Sequence, residues 1–196
     1  IKNLRNHKLI GFTVVSSNLF FTALLSLMLR LENKEIKIIY GGPQTTLSGN
    51  TSEIVLKAGL ADMIVSGEAE EILPEVIKNI DDDSRWISKN PVIYGIEPDI
   101  GTLPDPDFSV FELKKYRPLR LPVYASRGCV FKCGFCTYHR LGSYRLRKPG
   151  LVADSINRLA DRYNANNFIF SDSTLNISQQ WLDKFCLLYT SDAADE

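Results

Sequence analysis

The first 80 residues alternate between two kinds of hydrophobic pattern, and this alternation limits the possible folds more than any other feature. Short runs rich in β-branched and aromatic residues, such as "LIGFTVV" and "IKIIY", predict buried strands. Apolar residues recur at helical spacing from Leu19 to Leu31, and a third strand, "ADMIVSG", is followed by a helix over "EAEEILPEVIKNI". Strands and helices that alternate at these lengths predict a parallel sheet with crossover helices, hence a doubly wound α/β domain.

The rest of the chain divides into three regions. Residues 81–120 are rich in Asp and Pro and are predicted to be a linker. Residues 121–185 have a strand, helix, strand, helix pattern that predicts a second βαβ unit. Residues 186–196 resemble a translated sequencing adaptor, so we expect a non-native tail in which Cys186 has no role. Because the chain begins with Ile1 and not with Met, we expect it to be a fragment whose true start lies upstream.

Charge and hydropathy give no sign of a nucleic acid or membrane partner. Lys and Arg number 23, and Asp and Glu also number 23, so the formal net charge is +0. The most apolar helical run is interrupted by Thr22, Ser26 and Arg30, which makes it too short and too polar to span a bilayer. We therefore expect a cytoplasmic protein that binds neither nucleic acid nor membrane.

Three cysteines lie close together in "SRGCVFKCGFC", directly after a predicted strand. An odd number of cysteines in one loop does not suit a disulfide framework. Thiolates are soft ligands that select iron-sulfur clusters, zinc or copper, so Cys129, Cys133 and Cys136 are candidate metal ligands. Two interpretations remain open. The loop holds a cluster with one iron free for chemistry, or His139 completes a closed zinc site in a non-catalytic metal-binding module.

The segment "RGCVFKCGFC" resembles the signature of the radical SAM superfamily, in which an aromatic residue precedes the last cysteine; here it is Phe135. The resemblance implies that the three cysteines hold a 4Fe-4S cluster whose open iron binds S-adenosyl-L-methionine. It also implies that one electron, from a donor such as a flavodoxin or ferredoxin, cleaves this cofactor to a 5′-deoxyadenosyl radical. By the same resemblance, Phe135 presents its backbone near the adenine and Asp172 contacts the methionine end. An Asp after a strand is also typical of a helix cap.

The segments "GFTVVSSN", "YGGPQTT" and "DMIVSGEAEE", with the linker "LPDPDFSVFELKKY", resemble the cobalamin-binding domain that precedes the barrel in one branch of this superfamily. The resemblance implies a Rossmann-like (flavodoxin-like) cobalamin-binding domain over residues 1–80, without its first strand-helix units. The first βα units of a partial TIM-type radical SAM barrel would then occupy residues 121–185. By this resemblance, the face of the corrin ring is lined by Ser16, Ser17 and Asn18. The backbone passes close beside the ring at Gly41, Gly42, Pro43 and Gln44. The nucleotide tail is held by Ser66, Gly67 and Glu68.

These resemblances predict a fragment of a cobalamin-dependent radical SAM enzyme that methylates an unknown substrate. A radical SAM cyclase or rearrangement enzyme shares the same motifs and stays open as an alternative. No DxHxxG-type motif with a cobalt-ligating histidine is present in the sequence. Because the remaining strands of the barrel would shape the substrate pocket, we expect the fragment alone to be inactive.

Overall fold

The computed structural model describes residue 4 and residues 6–82, 91–116 and 118–191, with side chains up to Leu188. The chain forms two compact units, residues 1–98 and residues 99–196. The division between them falls inside the segment predicted to be a linker, residues 81–120. Among the helices of the described residues, none combines the length and apolar character that crossing a membrane requires.

The first unit is built on a sheet of four strands, which all pair in parallel in the order β1-β2-β3-β4. The strands are β1 (Leu9–Thr13), β2 (Lys37–Gly41), β3 (Met63–Ser66) and β4 (Val92–Tyr94). The helices between them are α1 (Leu19–Glu32), α2 (Pro43–Leu47), α3 (Gly49–Lys57) and α4 (Leu73–Lys78). The predicted parallel α/β architecture is therefore confirmed for this unit.

Helices cover both faces of the sheet. Side chains of successive strand residues point to opposite faces, so each strand contributes to two cores. On one face the core contains Ile38, Tyr40 and Ile64 together with residues of α1 and α3. On the other face Ile39 and Met63 pack with residues of α4. The strand order does not reverse among the described strands, so the point of reversal that defines a doubly wound sheet is not among them.

Helix α1 buries an unexpected face. Its buried residues are Thr22, Ser26 and Leu29, whereas Phe20 and Leu31 are 73% and 77% exposed. The Ser26 hydroxyl lies 2.7 Å from the Tyr40 hydroxyl in the interior, so two buried polar groups satisfy each other. Burial raises the pKa of Tyr40, which keeps the phenol neutral.

The second unit contains a parallel βαβ core, as predicted. Strand β5 (Leu121–Val123) pairs in parallel with β8 (Phe168–Phe170), and between them β6 (Ser126–Arg127) pairs antiparallel with β7 (Arg145–Leu146). The helices are α5 (Pro149–Tyr163) and α6 (Gln179–Ser191). The described part of this unit contains one pair of parallel strands, and the first βα units of a partial TIM-type barrel, predicted for residues 121–185, stay a prediction.

Helix α5 packs its apolar stripe against the β5–β8 pair. Val152, Ile156 and Leu159 recur at spacings of four and three and are all buried. The helix begins with Pro149, whose missing N–H costs nothing in the first turn, and it ends at Asn164 in the left-handed conformation.

Part of the predicted linker packs on α5. The Asp105 carboxylate binds the Arg158 guanidinium at 2.6 Å, and Asp107 accepts a hydrogen bond from the Tyr163 hydroxyl at 2.8 Å. The same hydroxyl accepts a hydrogen bond from the backbone N–H of Phe108 at 2.8 Å. Residues 105–108 therefore belong to the second unit.

Candidate functional site

The cysteine loop follows β6 and is held at its entrance by Asp172, which comes two residues after β8. The Asp172 carboxylate accepts hydrogen bonds from the backbone N–H groups of Ala125, at 3.0 Å, and of Ser126, and from the Ser126 hydroxyl. A carboxylate that accepts several such bonds joins two chain segments firmly. The observed partners give Asp172 a structural role; its predicted contact with a cofactor stays a prediction.

Gly128, directly before the first cysteine, is required by the backbone. Its φ is +73°, in the region that side chains with a Cβ rarely adopt. A Cβ added there would lie 2.4 Å from the backbone oxygen of Ser143, next to β7. The cysteine loop therefore starts from a tight turn packed against a second backbone segment.

The three cysteines are free thiols with different exposure. Cys129 and Cys136 are half-buried and Cys133 is exposed. A turn joins the last two, since the backbone N–H of Cys136 donates to the carbonyl of Cys133 at 3.0 Å. The aromatic residue between them, Phe135, is 94% exposed, so its ring is accessible to a ligand.

Cys129 lies in an environment that favours its thiolate. Its Sγ is 3.4 Å from the Thr174 hydroxyl oxygen, and hydrogen bonds from this side chain and from the backbone of Phe131 lower the pKa of Cys129. Nearby, burial raises the pKa of Tyr144, and the negative charges of Asp172 and Cys129 raise it further.

Three thiols are donors of the chemical type that holds an iron-sulfur group as thiolates. That Cys129, Cys133 and Cys136 are the ligands of such a group stays a prediction. In the part of the chain that the structure describes, no three His, Cys, Asp or Glu side chains are gathered so that they could hold one metal ion. Closed tetrahedral zinc needs four side chains that converge on one point. His139, the fourth ligand of that alternative, has a buried Nδ1 without a hydrogen-bond partner among the described residues.

In the first unit, the structure brings together the three segments that were predicted to bind cobalamin. They follow β1, β2 and β3, and the carboxyl ends of neighbouring parallel strands lie at one edge of the sheet. The Ser16 hydroxyl donates to the Gln44 side-chain oxygen at 2.7 Å. The backbone N–H of Gly67 donates to the Thr46 hydroxyl at 3.0 Å. These two hydrogen bonds join the segments that follow β1, β2 and β3.

Several of these residues also stabilise or shape the loops themselves. The Asn18 amide accepts from Val15 N–H at 2.9 Å and donates to the Thr13 carbonyl at 3.0 Å, so it closes the turn after β1. Gly42 has a φ of +95°, and a Cβ there would lie 3.0 Å from backbone atoms of Val14. Pro43 is the first residue of α2. The cobalamin contacts predicted for these positions stay predictions.

Sequence reasoning missed Thr174, Tyr144 and Thr46. Thr174 comes two residues after Asp172 in "SDST", which was the only local sign of its position. Tyr144 directly precedes β7 and Thr46 lies in the short helix α2, and nothing in their immediate sequence distinguishes them from surface residues. Their neighbours in the site come from distant parts of the chain, so only the folded structure shows them.

The chain is similar to enzymes, at low sequence identity. Two of them are anaerobic magnesium-protoporphyrin IX monomethyl ester cyclases. The one from Rubrivivax gelatinosus is 25% identical over 201 aligned residues, which cover 91% of this chain and 36% of the relative. The one from Cereibacter sphaeroides is 28% identical over 155 residues, which cover 68% of this chain and 25% of the relative.

A third relative, an uncharacterized methyltransferase from Pyrococcus horikoshii, is 22% identical over 197 residues, which cover 88% of this chain and 41% of the relative. No family model matches the chain. The chain spans between 25% and 41% of the length of these relatives. The similarities therefore support an enzyme.

Proposed function

We propose that this chain is the cofactor-binding part of a cobalamin-dependent radical SAM enzyme. The observation that carries the proposal is the cysteine loop itself: three free thiols at CxxxCxxC spacing, starting from the Gly128 turn and anchored by Asp172 at the end of the parallel β5–β8 pair. The similarity to cyclases and to a methyltransferase supports it.

Cys129, Cys133 and Cys136 would hold a 4Fe-4S cluster, which, when bound, supplies the electron that cleaves S-adenosyl-L-methionine. The chain's own residues position this group. Asp172 joins the loop entrance to the end of β8, and Gly128 makes the turn. Phe135, whose side chain is exposed, would present its backbone near the adenine.

Cobalamin would bind at the carboxyl edge of the sheet of the first unit. Ser16 and Gln44 already share a hydrogen bond there, and a second hydrogen bond joins Gly67 to the neighbouring loop. Such strand ends, with glycines that allow close backbone approach, are where α/β sheets bind ligands. Ser17, Asn18, Gly41, Gly42, Pro43, Ser66 and Glu68 would complete the contacts.

The proposed reaction is methylation of an unknown substrate, with electrons from a flavodoxin or ferredoxin. Ring closure is a second candidate, and it is favoured by the two cyclases, which are 25% and 28% identical, whereas the methyltransferase is 22% identical. Product analysis with the full-length protein distinguishes them. A methyl group transferred from labelled S-adenosyl-L-methionine indicates methylation, and loss of hydrogen without added carbon indicates ring closure.

The test of the metal group is anaerobic reconstitution with iron and sulfide, followed by visible absorption and analysis of iron, sulfide and zinc. We expect a brown protein with iron and sulfide, and loss of both in Cys129→Ala, Cys133→Ala and Cys136→Ala. Cys186→Ala is the matched control, because this exposed thiol lies on α6 of the same unit. A colourless protein with stoichiometric zinc that Cys129→Ala leaves unchanged would contradict the proposal.

A further inference from the structure

A threonine outside the cysteine loop touches the first cysteine. Thr174 lies four residues after β8, and its hydroxyl oxygen is 3.4 Å from Cys129 Sγ, a hydrogen-bond distance for sulfur. The two residues are 45 positions apart in the sequence. This contact therefore joins the loop after β8 to the cysteine loop.

The position of Thr174 is set by its surroundings. Asp172, two residues earlier, is fixed by its hydrogen bonds to the backbone of Ala125 and Ser126. Ser126 in turn lies three residues before Cys129, so both ends of the Thr174–Cys129 contact are tied to the same short segment. These hydrogen bonds hold the Thr174 hydroxyl near the Cys129 sulfur.

The direction of this hydrogen bond follows from the chemistry of sulfur. In a free thiol either partner can donate, but a thiolate that binds metal carries no proton. The Thr174 hydroxyl must then be the donor.

We infer that Thr174 is a positioning residue that donates a hydrogen bond to Cys129 Sγ and raises the reduction potential of the cluster. This inference rests on the proposed function. A hydrogen bond to a ligand sulfur withdraws electron density from it and stabilises the reduced, more negative cluster. Removing the hydroxyl therefore lowers the potential.

The experiment compares three variants after anaerobic reconstitution of the chain. Thr174→Val removes the hydroxyl and keeps the shape of the side chain, Thr174→Ala removes both hydroxyl and methyl, and Thr174→Ser keeps the hydroxyl. Iron and sulfide content and circular dichroism are measured first. The reduction potential is then measured by redox titration with detection of the reduced cluster by electron paramagnetic resonance. We expect a more negative potential in the Val and Ala variants and the wild-type potential in the Ser variant.

Each result has a separate meaning. If the Val and Ala variants hold clusters at the wild-type potential, the role of Thr174 is refuted and the proposed function stands. If the Ser variant shifts as far as the Val variant, packing and not the hydroxyl sets the potential, which also refutes it. If the wild-type chain binds no iron and sulfide, the proposed function fails, and the inference about Thr174 fails with it.

Discussion

Replacement of Gly128 by Ala tests how the cysteine loop is built. Gly128 has a φ of +73°, and a Cβ at this position would lie 2.4 Å from the backbone oxygen of Ser143. Such a distance is far below van der Waals contact, and a backbone oxygen has no torsion of its own by which to move away. The Gly128→Ala side chain therefore forces the chain on one side of this contact to shift.

The expected cost has two parts. A residue with a Cβ in the left-handed region costs roughly 1–2 kcal/mol. The clash with Ser143 disturbs the adjacent β6–β7 pairing, in which Arg127 is opposite Arg145. Together we expect a loss of about 3 kcal/mol in the free energy of unfolding of the second unit.

The assay is urea unfolding followed by tryptophan fluorescence in a Trp86→Phe background, which leaves Trp181 as the only tryptophan. Trp181 is buried in the core of the second unit and donates its indole N–H to the Arg147 carbonyl at 2.6 Å, so it reports on this unit. Gly134→Ala is the matched control. It lies in the same loop, and a Cβ there meets nothing within 4 Å.

We expect Gly134→Ala to change the unfolding free energy by less than about 0.5 kcal/mol. If Gly128→Ala is no more destabilising than Gly134→Ala, the turn does not pack tightly against Ser143. The argument that this glycine shapes the cysteine loop would then fail as well. Reduced cluster content in Gly128→Ala, with normal content in Gly134→Ala, would extend the argument to the metal site.

Other residues allow further tests. Asp172→Asn replaces one acceptor oxygen with an amide donor that faces backbone N–H groups. We expect the free energy of unfolding, measured in urea, to fall by about 2 kcal/mol. The control Asp183→Asn, on α6, should change it little. Hydrogen bonds from the backbone of Ser109 and from Tyr163 hold the pKa of Asp107 well below its usual range. Because the folded state lowers this pKa, the stabilisation is present above the unfolded pKa of about 4 and is lost as the pH falls further. The stability difference between wild type and Asp107→Asn should therefore shrink between pH 7 and pH 2; an unchanged difference would contradict this. Gln44→Ala removes the side chain that bonds Ser16, and we expect hydroxocobalamin to bind up to about tenfold more weakly by spectroscopic titration.

Local sequence patterns predicted most elements of the first unit. The predicted strand Ile36–Tyr40 corresponds to β2 (Lys37–Gly41), and the apolar run from Leu19 corresponds to α1. These predictions succeeded because burial on both faces of a parallel sheet requires near-continuous apolar strands, which can be read from a few neighbouring residues. Helix α4 is shorter than predicted and begins at Leu73, directly before Pro74.

Contacts between distant residues were not predictable in this way. The predicted linker, residues 81–120, contains a strand that its composition did not indicate, because Val92 pairs with Ile64 as part of a fourth parallel strand. The apolar spacing of α1 did not identify its buried face, because the Ser26–Tyr40 hydrogen bond lies in the interior and Phe20 lies outside. Both outcomes depend on what packs against the segment.

The sequence by itself determined the alternation of strands and helices and the spacing of Cys129, Cys133 and Cys136. Both are local, since hydrophobic period and ligand spacing depend on residues within a few positions of each other. The tertiary structure alone decided that Asp172 anchors the loop entrance, that Thr174 reaches Cys129, and that Ser143 requires a glycine at position 128. These contacts join segments up to 47 residues apart. The contacts of Asp172 and Thr174 depend on the β5–β8 pairing, which brings the two loops to the same edge of the sheet, and the contact of Gly128 with Ser143 lies beside the β6–β7 pair.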